Sequence, residues 1–360
     1  MMNLLLLSVL GIGCNLGDGP LLPAGAPTGE GTAPQAVESV ASRARLLRFS
    51  EPADRVAAAD LDGDGVDTLL FVRDGVLYDE SDELAVVGGL LQAVARGDID
   101  GDGDEEAVLG FGSGRGFRQA PAEVWVVHDD RVERVWSRDG ARNQVTDLVV
   151  DGGRIFLATY ASSKGVEGGW LEAGVFTAVD TVTMGASQRP LPEDSVIVGR
   201  LYGDEPRSDG DLQVRREGRI LETLPSLRGV KSILVTQLDG DPEPEVLVGD
   251  GWHYQYGLRA EGHLRLLDGI DLEDARTIAL LPESYSVERI ELIRNPNPSR
   301  RSLLLTGARA VHQLRRDALG WQDVRLESVE ETGNAVVAYL DDGPWALISG
   351  SPSTLVPLTP

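Results

Sequence analysis

Asp98, Asp100 and Asp102 stand at alternate positions of the stretch Asp98-Ile99-Asp100-Gly101-Asp102-Gly103-Asp104-Glu105-Glu106, which runs into the apolar Ala107-Val108-Leu109. Carboxylates at positions one, three and five of a tight loop, with glycine at six, point inward at a hard cation. Calcium takes about six to eight oxygens in such a loop. The carbonyl of Asp104 at position seven and the carboxylate of Glu106 at position nine extend the set. A near copy upstream offers Asp60, Asp62, Asp64 and the carbonyl of Val66, but Thr68 stands at its ninth position, so it is expected to bind more weakly. A third copy, Gln237 to Glu245, has Gln237 at position one and Pro242 where the glycine belongs, and is expected to have lost the ion. The competing reading of all three is a solvated acidic turn without metal.

The elements around these loops decide between two kinds of calcium site. A helix-loop-helix hand needs amphipathic flanks and a Glu at position twelve. Here position twelve is Leu109, and the flanks are short runs of Val and Leu, such as Leu69-Leu70-Phe71-Val72 and Val246-Leu247-Val248. A strand-loop-strand site fits better. After residue 43 the chain continues as short β-type runs broken by Gly, Asp, Asn and Pro, with little helical periodicity.

Seven such units follow one another, opening near Val56, Leu91, Val145, Ser195, Ile233, Val287 and Ala335. Their spacing of roughly 35–55 residues suits four-stranded propeller blades. The expected fold is therefore all-β, a seven-bladed β-propeller over 43–360, with six or eight blades as alternatives. The seventh unit runs out after about three strands, and Ala44–Phe49 has no other partner. That segment is expected to supply the missing outer strand and close the ring, because an open edge invites aggregation.

The acid loops and their flanks, Asp60–Val72, Asp98–Leu109 and more weakly Gln237–Val248, resemble the FG-GAP/VCBS repeats also seen in integrin α-subunit heads. Phe111-Gly112-Ser113-Gly114 is similar to the Phe-Gly signature of that family. The resemblance implies a propeller with calcium between the first two strands of a blade. It also implies that the ion's role at Asp98, Asp100, Asp102, Asp104 and Glu106 is structural.

The 360 residues carry 58 acidic and 33 basic side chains, a formal net charge of −25. Such a surface repels nucleic-acid phosphate and argues against that class of partner. The lone cysteine, Cys14, excludes an internal disulfide and follows an apolar stretch, Leu4–Ile12, of signal-peptide length. Gly11-Ile12-Gly13-Cys14 resembles a bacterial lipobox, with Gly11 in the place usually held by Leu and no Lys or Arg before the apolar core. The expectation is a signal peptide over 1–13, lipidation at Cys14, and a Gly- and Pro-rich tether over 14–42. An ordinary export signal, or a start codon assigned too late, is the alternative. The protein would be exported, an outer- or cell-membrane lipoprotein facing the periplasm or exterior, a monomer touching the membrane only through its anchor.

No catalytic arrangement emerges. Gly110–Gly114 lacks both a phosphate-loop Lys-Ser/Thr pair and the Gly-x-Ser-x-Gly frame. His128, His253, His263 and His312 fall in different units without metal-ligand spacing. Trp252-His253-Tyr254-Gln255-Tyr256 alternates aromatics and is read as a strand packed between blades, with sugar or partner stacking as the alternative. The expected function is a calcium-binding, non-catalytic binding or display module whose loops Gly110–Ala122, Ala161–Gly168 and Gly203–Asp211 meet a protein or glycan at the cell surface. The rival readings are a propeller enzyme acting on polysaccharide, lyase or hydrolase, and a purely structural envelope component. Charged groups converging on one mouth of the central channel would favour the enzyme.

Overall fold

The structure, a computed structural model, describes residues 53–359 apart from 115–118, 141–142, 162–164, 183–184, 202–208, 252–260, 270–271, 273–274, 282–283, 285, 318–319, 329–332 and 351. The leader, Cys14, the tether, the Ala44–Phe49 segment and the Trp252–Tyr256 cluster lie outside these residues, as do parts of all three candidate contact loops.

The described residues form antiparallel meanders. The first is β1 (Arg55–Ala59), β2 (Thr68–Arg73), β3 (Val76–Tyr78) and β4 (Glu83–Val86). The second is β5 (Leu90–Gly97), β6 (Glu106–Gly112), β7 (Ala122–Val127) and β8 (Val132–Arg138). The third is β9 (Gln144–Asp151), β10 (Arg154–Ala161), β11 (Gly165–Glu172) and β12 (Val175–Val182). The fourth is β13 (Gly185–Leu191), β14 (Ser195–Arg200), β15 (Gly210–Arg216) and β16 (Arg219–Leu227). The fifth is β17 (Val230–Thr236), β18 (Glu245–Asp250), β19 (Gly262–Leu267) and β20 (Arg276–Leu281). The sixth is β21 (Val287–Ile293), β22 (Ser302–Gly307), β23 (Ala310–Asp317) and β24 (Gly320–Ser328), and the last is β25 (Ala335–Leu340), β26 (Gly343–Ile348) and β27 (Thr354–Pro357).

The second strand of most meanders is buried along its whole length, as in Ala-Val-Leu-Gly-Phe-Gly of β6 and Ser-Leu-Leu-Leu-Thr-Gly of β22. A strand sandwiched between two neighbouring sheets needs apolar side chains on both faces, so its sequence is a run and not an alternation. Seven apolar cores result, each between consecutive meanders. Leu70, Val72 and Leu77 meet Leu91, Leu109 and Phe111 between the first and second. Phe156, Val182, Val196 and Val198 fill the third-to-fourth junction, and Ile293, Leu304, Val337 and Ala346 the sixth-to-seventh. The last core, Val56, Leu69 and Phe71 against Val336 and Leu347, returns the final meander to the first. Fully burying one such Leu, Val or Phe contributes about 1.5–3 kcal/mol.

The first strands β1, β5, β9, β13, β17, β21 and β25 touch in cyclic order, with β25 against β1. This ring of inner strands is the propeller-like architecture expected from the repeats. Close approach between meanders fixes some residues: a Cβ on Gly112 would lie 2.3 Å from Gln144 Cα, and Gly112 pairs with Gln144 to join the second and third sheets. The Phe-Gly pair of the sequence thus divides its labour. Phe111 fills the core on one side, and Gly112 admits the next backbone on the other.

Two boundaries differ from the sequence reading. The fourth meander begins with β13, a strand before the expected start near Ser195, and the fifth gains β20 as its outer strand. Gly-Ala-Ser-Gln-Arg-Pro-Leu of β13 has no apolar run because its buried residues are held by hydrogen bonds. Gln188 is fully buried and donates to Val166 O at 3.3 Å, and the Ser187 hydroxyl donates to Asp147.

Candidate functional site

The β5–β6 loop curls around its own carboxylates. Asp98 Oδ1 accepts the Gly101 N–H at 2.6 Å, and Asp102 Oδ1 accepts the Asp104 N–H at 3.0 Å. Gly103 sits at φ +104°, which a side chain at position six would resist. Asp98, Asp100 and Asp102 each present a carboxylate oxygen within 4.8 Å of the others. Glu106 opens β6, is only 2% exposed, and accepts the Ile99 N–H at 2.7 Å, so it clamps the end of the loop to its beginning. Burial raises its pKa, and the Asp100 and Asp102 charges add to that rise, opposed by the Ile99 hydrogen bond and by His128.

His128, just beyond β7, was not singled out by spacing. Its Nδ1 lies 3.4 Å from Glu106 Oε1 and 3.8 Å from Asp100 Oδ2, while Nε2 faces Glu133 at 3.3 Å. In a four-stranded meander the first and third connections lie at the same end, which is the one sequence signal that could have placed it. The other described histidines are held by carboxylates elsewhere: His263 by Asp250 at 2.7 Å and His312 by Asp323 at 2.9 Å.

The β1–β2 loop repeats the arrangement. Asp60, Asp62 and Asp64 again bring oxygens within 4.8 Å, Asp60 Oδ2 accepts the Gly65 N–H at 3.0 Å, and Asp64 Oδ1 accepts the Val66 N–H at 2.8 Å. Asp60 Oδ1 is enclosed and has no hydrogen-bond partner. Asp67, at position eight, turns inward instead. It pairs with Arg96 at 2.6 Å and accepts the Tyr339 N–H at 2.9 Å, fastening the loop to β25. Half-buried Thr68 leaves position nine without a carboxylate. The two loops touch: the Glu105 N–H donates to Asp60 O at 2.9 Å, and the Asp104 carboxylate lies over Gly63.

The β17–β18 loop keeps the frame but changes its centre. The Gln237 amide nitrogen donates to Glu243 O at 3.0 Å and to Asp241 O, so a neutral donor satisfies the carbonyls that a cation would otherwise draw. Glu245 accepts the Leu238 N–H at 2.6 Å, as Glu106 does with Ile99. Asp239, Glu245 and Asp268 bring oxygens within 4.8 Å, and Glu245 Oε1 has no hydrogen-bond partner.

The inner strands enclose a cavity of about 530 Å³ on the ring axis. Its lining includes Arg55, Arg96, Arg189, Lys231, Arg289 and Arg294, in a chain where acid outnumbers base. Most are neutralised locally. Arg189 holds Asp147, Lys231 holds Glu288 at 3.3 Å, Arg289 holds Glu291 at 2.7 Å, and Arg294 holds Glu105 at 2.6 Å. Arg96 pairs with Asp67 and lies 3.7 Å from Glu105. Arg289 also donates to Val94 O at 3.0 Å, tying the sixth meander to the second.

No known protein family and no curated protein matches this sequence. Among solved structures the chain is similar to Kuenenia stuttgartiensis hydrazine synthase, with a TM-score of 0.51 at 10% identity over 83% of this chain and 96% of that one. It is also similar to a protein from Lactobacillus plantarum, with a TM-score of 0.43 at 12% identity over 81% of this chain and 90% of that one. For BBS1N, in its complex with ARL6DN, the TM-score is 0.48 at 10% identity over 86% of this chain and 94% of that one. The likeness to the hydrazine synthase chain is one of fold alone, and it agrees with the all-β, propeller-like ring.

Proposed function

We propose that this chain is an exported, calcium-binding repeat protein of the FG-GAP/VCBS type, anchored through Cys14, that acts as a non-catalytic binding or display module at the cell envelope. The observation that carries the calcium reading is the β5–β6 loop. Three carboxylates converge within 4.8 Å and a buried Glu106 closes the loop behind them. Negative groups crowded in this way repel one another unless a cation neutralises them. Asp98, Asp100, Asp102, the Asp104 carbonyl and Glu106 would hold the ion in the second meander. Asp60, Asp62, Asp64 and the Val66 carbonyl would hold a weaker one in the first. Oxygen-only donor sets of this kind suit calcium, whose part here is to pin the hairpin.

Isothermal titration of calcium chloride into the chelator-treated full chain tests the reading. Two classes of site are expected, the tighter lost in Asp102→Asn and the weaker in Asp62→Asn. Binding heat indifferent to both substitutions would overturn the assignment.

Charged side chains do converge on the central cavity, the observation that favours a polysaccharide-cleaving enzyme as the second reading. Asp147, Glu288 and Glu291 are each held by a cation, however, and do not stand as a free acid and base pair. Among the described residues no helix is long and apolar enough to cross a membrane, and the proposed attachment runs through the N-terminal cysteine alone.

A further inference from the structure

Arg55 is the cation in the central cavity that the pairing leaves over. It opens β1 and lines the cavity, and its Nη1 donates to Gly333 O at 3.2 Å. Its Nε is enclosed without a partner, and no carboxylate oxygen lies within ion-pair distance of the guanidinium among the described residues. The neighbouring charges are already engaged. Glu288 is held by Lys231 and by the Ser286 hydroxyl, Arg289 by Glu291, and Asp54 accepts the Asp74 N–H at 3.1 Å. Burial, the largest effect, pushes the Arg55 guanidinium down to about 10, still charged at neutral pH.

A partly buried guanidinium with an enclosed, unpartnered Nε and no ion-pair partner among the described residues is costly to fold around and recovers part of that cost when an oxyanion arrives. We propose that the central cavity binds a small organic carboxylate, its carboxylate group on Arg55 and its apolar body against the apolar part of the inner-strand lining. One free guanidinium matches one carboxylate in a fork-to-fork contact, whereas a phosphate dianion would call for a second uncommitted cation. The cavity volume of about 530 Å³ falls in the range of small-molecule sites, and the apolar side chains among its lining give such a ligand more than a charge to hold.

The site is independent of the calcium loops and is tested apart from them, on the full chain in calcium-free buffer at constant ionic strength. Hexanoate serves as probe and the neutral hexanamide as its control, followed by ligand-observed NMR and by thermal melting. Hexanoate is expected to bind with one-to-one stoichiometry and to raise the melting temperature, and hexanamide to do neither. Arg55→Met should weaken hexanoate binding by about tenfold or more, the loss of a charge-assisted hydrogen bond. It should also melt higher than the natural protein when no carboxylate is present. Should the Met variant fail to fold, Arg55→Gln, which keeps a donor for Gly333 O, carries the same two expectations. Equal binding of hexanamide, undiminished hexanoate binding in the variant, or a variant that melts lower without ligand would each overturn the proposal.

Discussion

Asn334 is where the ring returns on itself, and its removal has a calculable cost. The side chain is 5% exposed and precedes β25. Its Oδ1 accepts the Val56 N–H at 2.9 Å, and its Nδ2 donates to Val56 O at 2.8 Å. These are backbone groups on the free edge of β1, with no strand on that side to pair with. Asn334→Ala leaves one buried donor and one buried acceptor unmade, at about 1–3 kcal/mol each. Asn334 also lines the axial cavity, where water can reach the vacated groups, so the lower half of that range applies. The total is about 2–4 kcal/mol. With roughly 2.1 cal/mol/K per residue over about 300 residues, the melting temperature should fall by about 3–6 °C. Urea unfolding read by far-UV circular dichroism measures the same loss as a lower midpoint at unchanged slope. Asn334→Asp should be at least as costly at neutral pH, because a carboxylate oxygen would then face Val56 O. If Asn334→Ala unfolds within about 0.5 kcal/mol of the natural protein, the size of an ordinary surface substitution, direct docking of the first and last meanders is wrong.

Glu245→Gln should stabilise the chelator-treated protein at pH 7.5. Burial raises the Glu245 pKa above its ordinary 4.5, so the native state favours the protonated form. Its contribution is fully present below the ordinary value and is lost as pH rises through the raised one, which makes the gain from Gln shrink on acidification. A Gln variant that melts lower at pH 7.5 would contradict this. Cys14→Ser should move the protein from the membrane fraction to the soluble fraction, and unchanged fractionation would remove the anchor from the proposal. A chain beginning at residue 52 should melt several degrees lower if Ala44–Phe49 supplies the outer strand beside β27, and an unchanged melt would exclude that strand.

The acid loops were legible because their chemistry is local: every expected ligand lies within nine consecutive positions. The flanking strands were legible for a related reason, since a strand buried on both faces must be a run of Val, Leu and Phe. What the sequence hid is what different meanders build together. Polar β13 carries no apolar signal, because Gln188 and Ser187 are stabilised by partners in the preceding meander. Asp67 looks like one more acid of its loop, yet it reaches Arg96 and Tyr339 across two interfaces. His128 joins Glu106 only because the first and third connections of a meander share an end. The axial cavity is assembled from short stretches of all the inner strands, so no single stretch of sequence announces it, and Arg55 is an ordinary surface arginine until the ring closes around it.

A thermal melt of the full chain in millimolar calcium and in excess chelator, with Asp100→Ala measured alongside, bears most directly on the calcium reading. A ligand bound only by the native state at a hundredfold excess over its dissociation constant adds about 2.7 kcal/mol. For a domain of about 300 residues that is a rise of roughly 4 °C. The proposed site predicts that rise in the natural protein and the loss of most of it in Asp100→Ala. Identical melts in calcium and chelator would mean that the loops are acidic turns that hold no ion.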